Sequence, residues 1–140
     1  MPESILIPID GSKGARRGAT HALELASANA ADVHLLFVVE DRIHGGTPAL
    51  STEELYLETV ERNAERRLAA VSAQARERGV EATVVCRRGN PCDIIPSYAR
   101  EHGIDTIVMG RHGAVSGRRN HHRACIDVVS NTSDVPVVTV

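Results

Sequence analysis

The chain has 140 residues, 42% of them hydrophobic, and a formal net charge of −2, which suits one globular domain with an ordinary core. A balance so close to neutral excludes a whole-molecule attraction to nucleic acid or anionic membranes. No apolar run approaches the roughly 18 residues of a membrane span, and the N-terminus lacks the pattern of a signal peptide. Three cysteines without a CxxC pair argue against a disulfide framework or a structural zinc site. We therefore expect a single cytoplasmic domain over residues 1–140, with no nucleic-acid or membrane partner.

The first half of the chain alternates between strand and helix patterns. Residues 5–9 form an apolar run typical of a buried parallel strand. A helical period follows to about residue 31, and residues 33–39 return to strand character. After a glycine-containing loop, a long helix is predicted from Ser51 or Thr52, either of which can cap it, to about Arg78. The residues predicted to face inward are Ala19, Ala22, Leu23 and Ala26 in the first helix, and Leu57, Ala64, Leu68, Val71 and Ala75 in the second.

The second half repeats the alternation. Gly79 is predicted to end the long helix, and residues 80–87 form a third strand. Gly89-Asn90-Pro91 turns into a helix that Gly103 stops, and residues 104–109 form a fourth strand. A short helix over about 124–131 and a strand over 135–140, from Val135 to Val140, complete the pattern.

This order predicts an α/β fold of the Rossmann-like kind: an open, mainly parallel five-stranded sheet with helices on both faces. Ligands in such sheets bind beyond the carboxyl ends of the strands, where the strand order reverses. The polar, glycine-rich strand ends are Asp10-Gly11-Ser12 and Gly110-Arg111-His112-Gly113. If the two strands are neighbours, both ends line one crevice.

The segment after the fourth strand has an unusual charge pattern. Residues 111–123 contain four arginines and three histidines, with no acid. Gly110 and Gly113 expose backbone N–H groups suited to phosphate oxygens, or they form only a tight turn. The arginines, among them Arg111 and Arg123, are either anion-binding groups or a solvated basic loop. Because neighbouring side chains diverge, the His121-His122 pair is not expected to bind a metal.

Four segments occur in a specific order and spacing: residues 5–12 (ILIPIDGS), Gly89-Asn90-Pro91, residues 107–113 (IVMGRHG) and residues 135–140 (VPVVTV). Together they resemble the universal stress protein family, whose fold is of the adenine nucleotide alpha hydrolase-like type. ATP-binding members of that family carry a phosphate loop of Gly, two residues, Gly, nine residues, and Gly followed by Ser or Thr. Gly110 and Gly113 match its first half, whereas Arg123 and Ala124 stand where the second Gly–Ser pair is expected.

The resemblance implies roles for further residues around the same crevice. Asp10 would contact the nucleoside, or would only organise the turn that follows the first strand. Pro8 and Val38 would form the adenine slot and Met109 would line it, or all three would be packing residues. Arg111, Arg123 and Ala124 would lie near the phosphates. No cofactor is certain, and ATP or AMP are the nucleotides implied.

The functional expectation is a homodimeric stress-response protein, paired through the strand from Val135 to Val140, in which ATP binding is weakened or lost. One alternative is a regulatory protein that binds ATP or AMP through Asp10, Gly110 and Gly113, with arginines replacing the missing Gly–Ser pair. A protein-interaction role and a slow nucleotide hydrolase remain open. The chain has no G-x-S-x-G, Walker or HExxH motif, so we expect no catalytic residues and no enzyme.

Overall fold

The computed structural model describes residues 3–9, 13–39, 50–110 and 119–139. Within these ranges strands and helices alternate along the chain, as the hydrophobic pattern predicts. The strands are β1 (Ser4–Pro8), β2 (Asp32–Val39), β3 (Ala82–Arg88), β4 (Thr106–Met109) and β5 (Val137–Thr139). The helices are α1 (Lys13–Asn29), α2 (Leu50–Glu77), α3 (Pro91–Glu101) and α4 (Arg119–Thr132).

The five described strands form one parallel sheet in the order β3-β2-β1-β4-β5. The chain adds β2 and β3 on one side of β1 and then returns to add β4 and β5 on the other. The order therefore reverses between β1 and β4, which pair through Ile5↔Thr106 and Leu6↔Ile107. This confirms the predicted fold class. It also shows that the two strands followed by glycine-containing segments are neighbours.

Strand alternation sorts the apolar side chains into two cores, one on each face of the sheet. The first core lies under α1 and α2, and it includes Ala64, Leu68, Val71 and Ala75 on the inward stripe predicted for α2. The second core lies under α3 and α4; its members are Leu6, Leu36, Ile95, Tyr98, Ala99, Ile104, Ile107, Met109 and Val129. The side chain of Leu57, also predicted to face inward, lies outside the described residues.

Glycines end two of the helices where the sequence predicts. Gly79 follows α2 with φ +69°, and Gly103 follows α3 with φ +62°, a backbone conformation that costs side-chain-bearing residues steric strain. At the start of α3, the side chain of Asn90 accepts a hydrogen bond from the Cys92 N–H at 3.0 Å, and Pro91 occupies the first turn, where its missing N–H costs nothing. The Gly-Asn-Pro turn is thus a helix cap.

α2 begins at Leu50, so Ser51 and Thr52, which the sequence predicted as capping residues, lie within the helix and not before it.

Predicted boundaries also differ from the structure in the second half of the chain. β4 begins at Thr106 rather than 104, because the Ile104 N–H donates to the Ala99 carbonyl at the end of α3. β5 begins at Val137 rather than 135, since the Val135 N–H bonds to the Ser133 hydroxyl, and residue 140 at its predicted end lies outside the described residues. α4 begins at Arg119, five residues before the expected start, because residues 119–123 contain no glycine or proline that would stop a helix.

Truncating the centre of β1 tests the second core. Leu6 is 0% exposed, so Leu6→Ala leaves a cavity and should lower the free energy of unfolding by about 2–5 kcal/mol. Leu25, on α1, is 36% exposed, and Leu25→Ala should cost less than about 1 kcal/mol. Urea unfolding followed by circular dichroism measures both; equal losses would contradict the assignment of Leu6 to a closed core.

Candidate functional site

The candidate site lies at the carboxyl ends of β1 and β4, where the strand order reverses. Pro8 ends β1 opposite Leu36 of β2, and the next residue extends the ladder, since the Ile9 N–H donates to the Leu36 carbonyl at 2.8 Å. Met109 ends β4, and Gly110 follows it as a buried residue. The structure therefore brings the described ends of both strands to one edge of the sheet.

Three of the predicted site residues share one face at that edge. Met109 belongs to the second core, and Val38 packs against it. Pro8 stands two residues after Leu6 in β1, so its side chain lies on the same face of the sheet as Leu6. The adenine-slot candidates are thus grouped under α3 and α4 rather than divided between the two faces.

The three residues differ in burial, so they would form different parts of an adenine slot. Met109 is 3% exposed and contributes to the core as a packing residue, which makes it the floor of any slot. Pro8 and Val38 are half-buried, and they leave apolar surface that a flat ring can cover. Neither side chain titrates, so at these two residues a ligand would be recognised by shape and not by charge.

Arg123 and Ala124 lie inside α4 and not at its start. An α-helix leaves only its first four N–H groups without an intrahelical acceptor. Because α4 begins at Arg119, Arg123 and Ala124 are its fifth and sixth residues, and their N–H groups fall within the intrahelical ladder. The expectation that the last helix begins at about residue 124 is therefore wrong.

The remaining predicted contacts lie outside the described residues. These are Asp10 after β1, and Arg111 and Gly113 after Gly110. Their roles toward a nucleoside or a phosphate stay predictions. In the described ranges, no helix is long and apolar enough to cross a membrane, and no group of three or more potential metal ligands occurs there.

The two described cysteines carry free thiols. Cys86 is half-buried on β3, and its pKa is raised by burial first and by the carboxylates of Glu61 and Glu65 second. A raised pKa keeps the thiol protonated at neutral pH, and the thiol is the poor nucleophile. Cys86 is therefore a packing residue beside the first core.

One polar cluster on the same face of the sheet was not predicted from the sequence. It consists of His34 on β2, with Tyr98 and His102 on and after α3. Its signal in the sequence is weak: a single histidine interrupts an otherwise apolar strand. The cluster lies toward the amino ends of the strands, away from the candidate crevice.

Comparison with known proteins matches the architecture and the motifs. The model of the universal stress protein family matches residues 1–140. The universal stress protein MJ0531 of Methanocaldococcus jannaschii is 30% identical over 138 residues, covering 99% of this chain and 81% of that protein. The structure of the universal stress protein UspA from Lactobacillus plantarum superposes with a TM-score of 0.89 at 26% identity, covering 99% of this chain and 97% of that one.

Two more distant structures share the fold and hold nucleotides. A universal stress protein in complex with cAMP has a TM-score of 0.69 at 17% identity and covers 99% of this chain and 96% of that one. An Arabidopsis thaliana universal stress protein family member with AMP bound has a TM-score of 0.70 at 16% identity, over 99% and 91% of the two chains. Because the family model matches the whole of this chain, the chain belongs to the universal stress protein family.

Proposed function

We propose that this universal stress protein is a homodimeric, cytoplasmic regulatory protein in which ATP binding at the β1–β4 crevice is weakened or lost. One observation carries the proposal: α4 begins at Arg119, four residues before Arg123. A phosphate at a helix N-terminus is held by N–H groups that the helix itself does not use. In α4 the amides of Arg123 and Ala124 are already used, and alanine has no hydroxyl to replace them.

A second candidate is a crevice that holds a nucleotide with fewer phosphates. It is supported by the grouping of Pro8, Val38 and Met109 on one face of the sheet, with Gly110 directly after Met109 in the chain. The bound AMP and cAMP of the two distant fold relatives also favour it. A nucleoside monophosphate needs the adenine slot and the first glycine pair but does not require the lost pair. Arg111 and Arg123 would then supply positive charge to the single phosphate.

Ligand-dependent thermal unfolding separates the two candidates. A ligand at about 100 times its Kd raises the free energy of unfolding by roughly 2.7 kcal/mol. We expect no stabilisation by millimolar ATP; stabilisation by AMP or cAMP alone would select the second candidate. Titration calorimetry provides the independent readout, with GTP as the control for base recognition. A clear rise in the unfolding temperature with ATP, accompanied by heat of binding, would contradict the proposal that ATP binding is weakened or lost.

The proposed role is regulatory rather than catalytic. The described residues of the crevice, Pro8, Val38, Met109 and Gly110, offer no side chain that can act as nucleophile or general base. We therefore expect incubation with ATP to release phosphate no faster than buffer does. Faster release that is lost on heat denaturation would favour the alternative of a slow nucleotide hydrolase.

The proposed homodimer forms through β5. In the described sheet β5 is an edge strand, paired with β4 through Val108↔Val138. Edge strands present backbone groups to any second strand that approaches them, and Val138 adds a side chain that is 40% exposed. A copy of the same chain or another protein partner can use this edge, and the homodimer is the simpler assembly.

A further inference from the structure

His34, Tyr98 and His102 connect α3 to the sheet at the amino ends of the strands. The His34 Nδ1 lies 2.7 Å from the Tyr98 hydroxyl, which is the side-chain hydrogen bond joining β2 to α3. The Tyr98 ring stacks on the His102 ring at a centroid separation of 4.0 Å, and the two imidazole centroids are 5.9 Å apart. Tyr98 is 3% exposed, so its hydroxyl depends on His34 for a partner.

The hydrogen bonds indicate which nitrogens carry protons. The His102 Nδ1 lies 3.1 Å from the Tyr98 carbonyl; a carbonyl only accepts, so the His102 Nδ1 donates whether this ring is neutral or charged. The neutral His34 Nδ1 can accept from the Tyr98 O–H. Protonation of His34 places a hydrogen on that nitrogen, so the contact can persist only with the Tyr98 oxygen as acceptor, and the O–H of the buried hydroxyl then has no acceptor at His34.

The charges around His34 also oppose its protonation. Its pKa is lowered from 6.5, first by burial and second by the positive charge of His102, while Asp32 on the same strand acts in the opposite direction. On β3, the Arg87 guanidinium carbon lies 6.0 Å from the centroid of the Tyr98 ring. The register partners of His34, Leu6 on β1 and Thr83 on β3, carry no charge.

We propose that His34, Tyr98 and His102 form an acid-sensitive latch, which fastens the C-terminal half of α3 to β2 at neutral pH and releases it on acidification. On acidification His34 becomes a positively charged ring in contact with His102, and the O–H of the buried Tyr98 hydroxyl loses its acceptor. Since α3 packs against α4, and α4 is the next described element after β4, release at this end alters the support of the helix that follows the crevice strand β4. The inference does not depend on whether any nucleotide binds.

The sign of the pH effect follows from the lowered pKa of His34. The latched form resists a proton that the released or unfolded form accepts with an ordinary pKa of 6.5. The contribution of the latch to stability is therefore complete above pH 6.5, and it is lost as the pH falls below that value towards the lowered pKa of the folded form. Each unit of difference between the two pKa values changes the opening equilibrium tenfold.

Hydrogen exchange of backbone amides tests the latch. At about pH 5.5, after correction for intrinsic exchange rates, the amides of α3 should exchange faster than at about pH 7.5, by up to about tenfold, the limit set by the ordinary histidine pKa of 6.5. The amides of α1, on the other face of the sheet, provide the internal reference and should not change. His34→Gln keeps an uncharged acceptor for Tyr98 and should remove the acid response.

Two further variants keep the test decisive. His21 is an exposed histidine on α1, and His21→Gln should retain the full response of α3. If His34→Gln does not fold, His102→Gln provides the test. Because it removes the repulsion between His34 and His102, the pKa of His34 measured by NMR should rise. The acid-dependent exchange of the α3 amides should then become smaller. Exchange from α3 that is independent of pH in the wild type, or equal responses in all three variants, would overturn the latch.

Discussion

In the double variant Arg123→Gly/Ala124→Ser, ATP is expected to bind at least about tenfold more tightly than to the wild type, a gain of about 1.4 kcal/mol. Glycine in the interior of a helix costs about 1 kcal/mol relative to alanine, whereas serine is a favoured N-cap. The pair should therefore move the start of α4 from Arg119 to the new serine. Its hydroxyl and the freed N–H groups then face the expected phosphate position. Calorimetry with ATP and with AMP measures the gain.

A matched variant separates the backbone effect from the removal of an arginine. Arg123→Ala/Ala124→Ser changes the same two positions but keeps a helix former at the first of them, so α4 should still begin early and ATP binding should stay weak. Circular dichroism reports the shorter helix in the glycine variant. If both variants bind ATP equally, the obstacle is the side chain of Arg123 or the missing hydroxyl at 124, and not the helix start. If neither binds, the defect lies elsewhere in the crevice.

Val138→Glu should convert the proposed dimer into a monomer. Val138 is 40% exposed on an edge strand of three residues, and pairing through β5 would cover it. An unpaired carboxylate buried in that contact costs about 3 kcal/mol, which weakens dimerisation roughly 100-fold. In the separated chain the same carboxylate stays hydrated, so the stability of the monomer should change little. Analytical ultracentrifugation over a concentration series measures the dissociation constant.

The opposite edge of the sheet supplies the control. Val84 on β3 is 44% exposed, and β3 is the other edge strand of the described sheet. Val84→Glu introduces the same charge at a similar exposure and should leave the dimer intact. If Val84→Glu dissociates the dimer and Val138→Glu does not, the interface lies on β3, and the assignment to β5 is wrong.

Local sequence determined most of what the sequence analysis got right. The stop of α2 at Gly79 and the cap at Asn90 each depend on one residue and its immediate neighbours, so they could be predicted. The alternation of strands and helices predicted a parallel sheet but left open whether β1 and β4 are neighbours, and the structure shows that they pair. The grouping of Pro8 with Met109 on one face is a consequence of that pairing and of strand alternation.

Features that depend on contacts between distant segments were not predictable in the same way. His34 and Tyr98 are 64 positions apart, and no local pattern links a histidine in a strand to a tyrosine in a later helix. The early start of α4 was missed because the family pattern, with Gly–Ser at the helix start, suggested a boundary at Ala124. The residues actually present at 119–123 permit helix, and the missing glycine removes the signal that would stop it.

The position of β1 between β2 and β4 has a consequence for the order of folding. During synthesis β1, β2 and β3 are available to pair early, but the second edge of β1 stays open until residues 106–109 have been made. The contact from the Ser4 N–H to the Asp105 carboxylate spans 101 positions, and contacts of such separation form slowly because the intervening chain loses entropy when they close. A partly made chain therefore exposes the edge of its central strand, where it is open to aggregation. The crevice, built on that same edge, is among the last parts of the molecule to be completed.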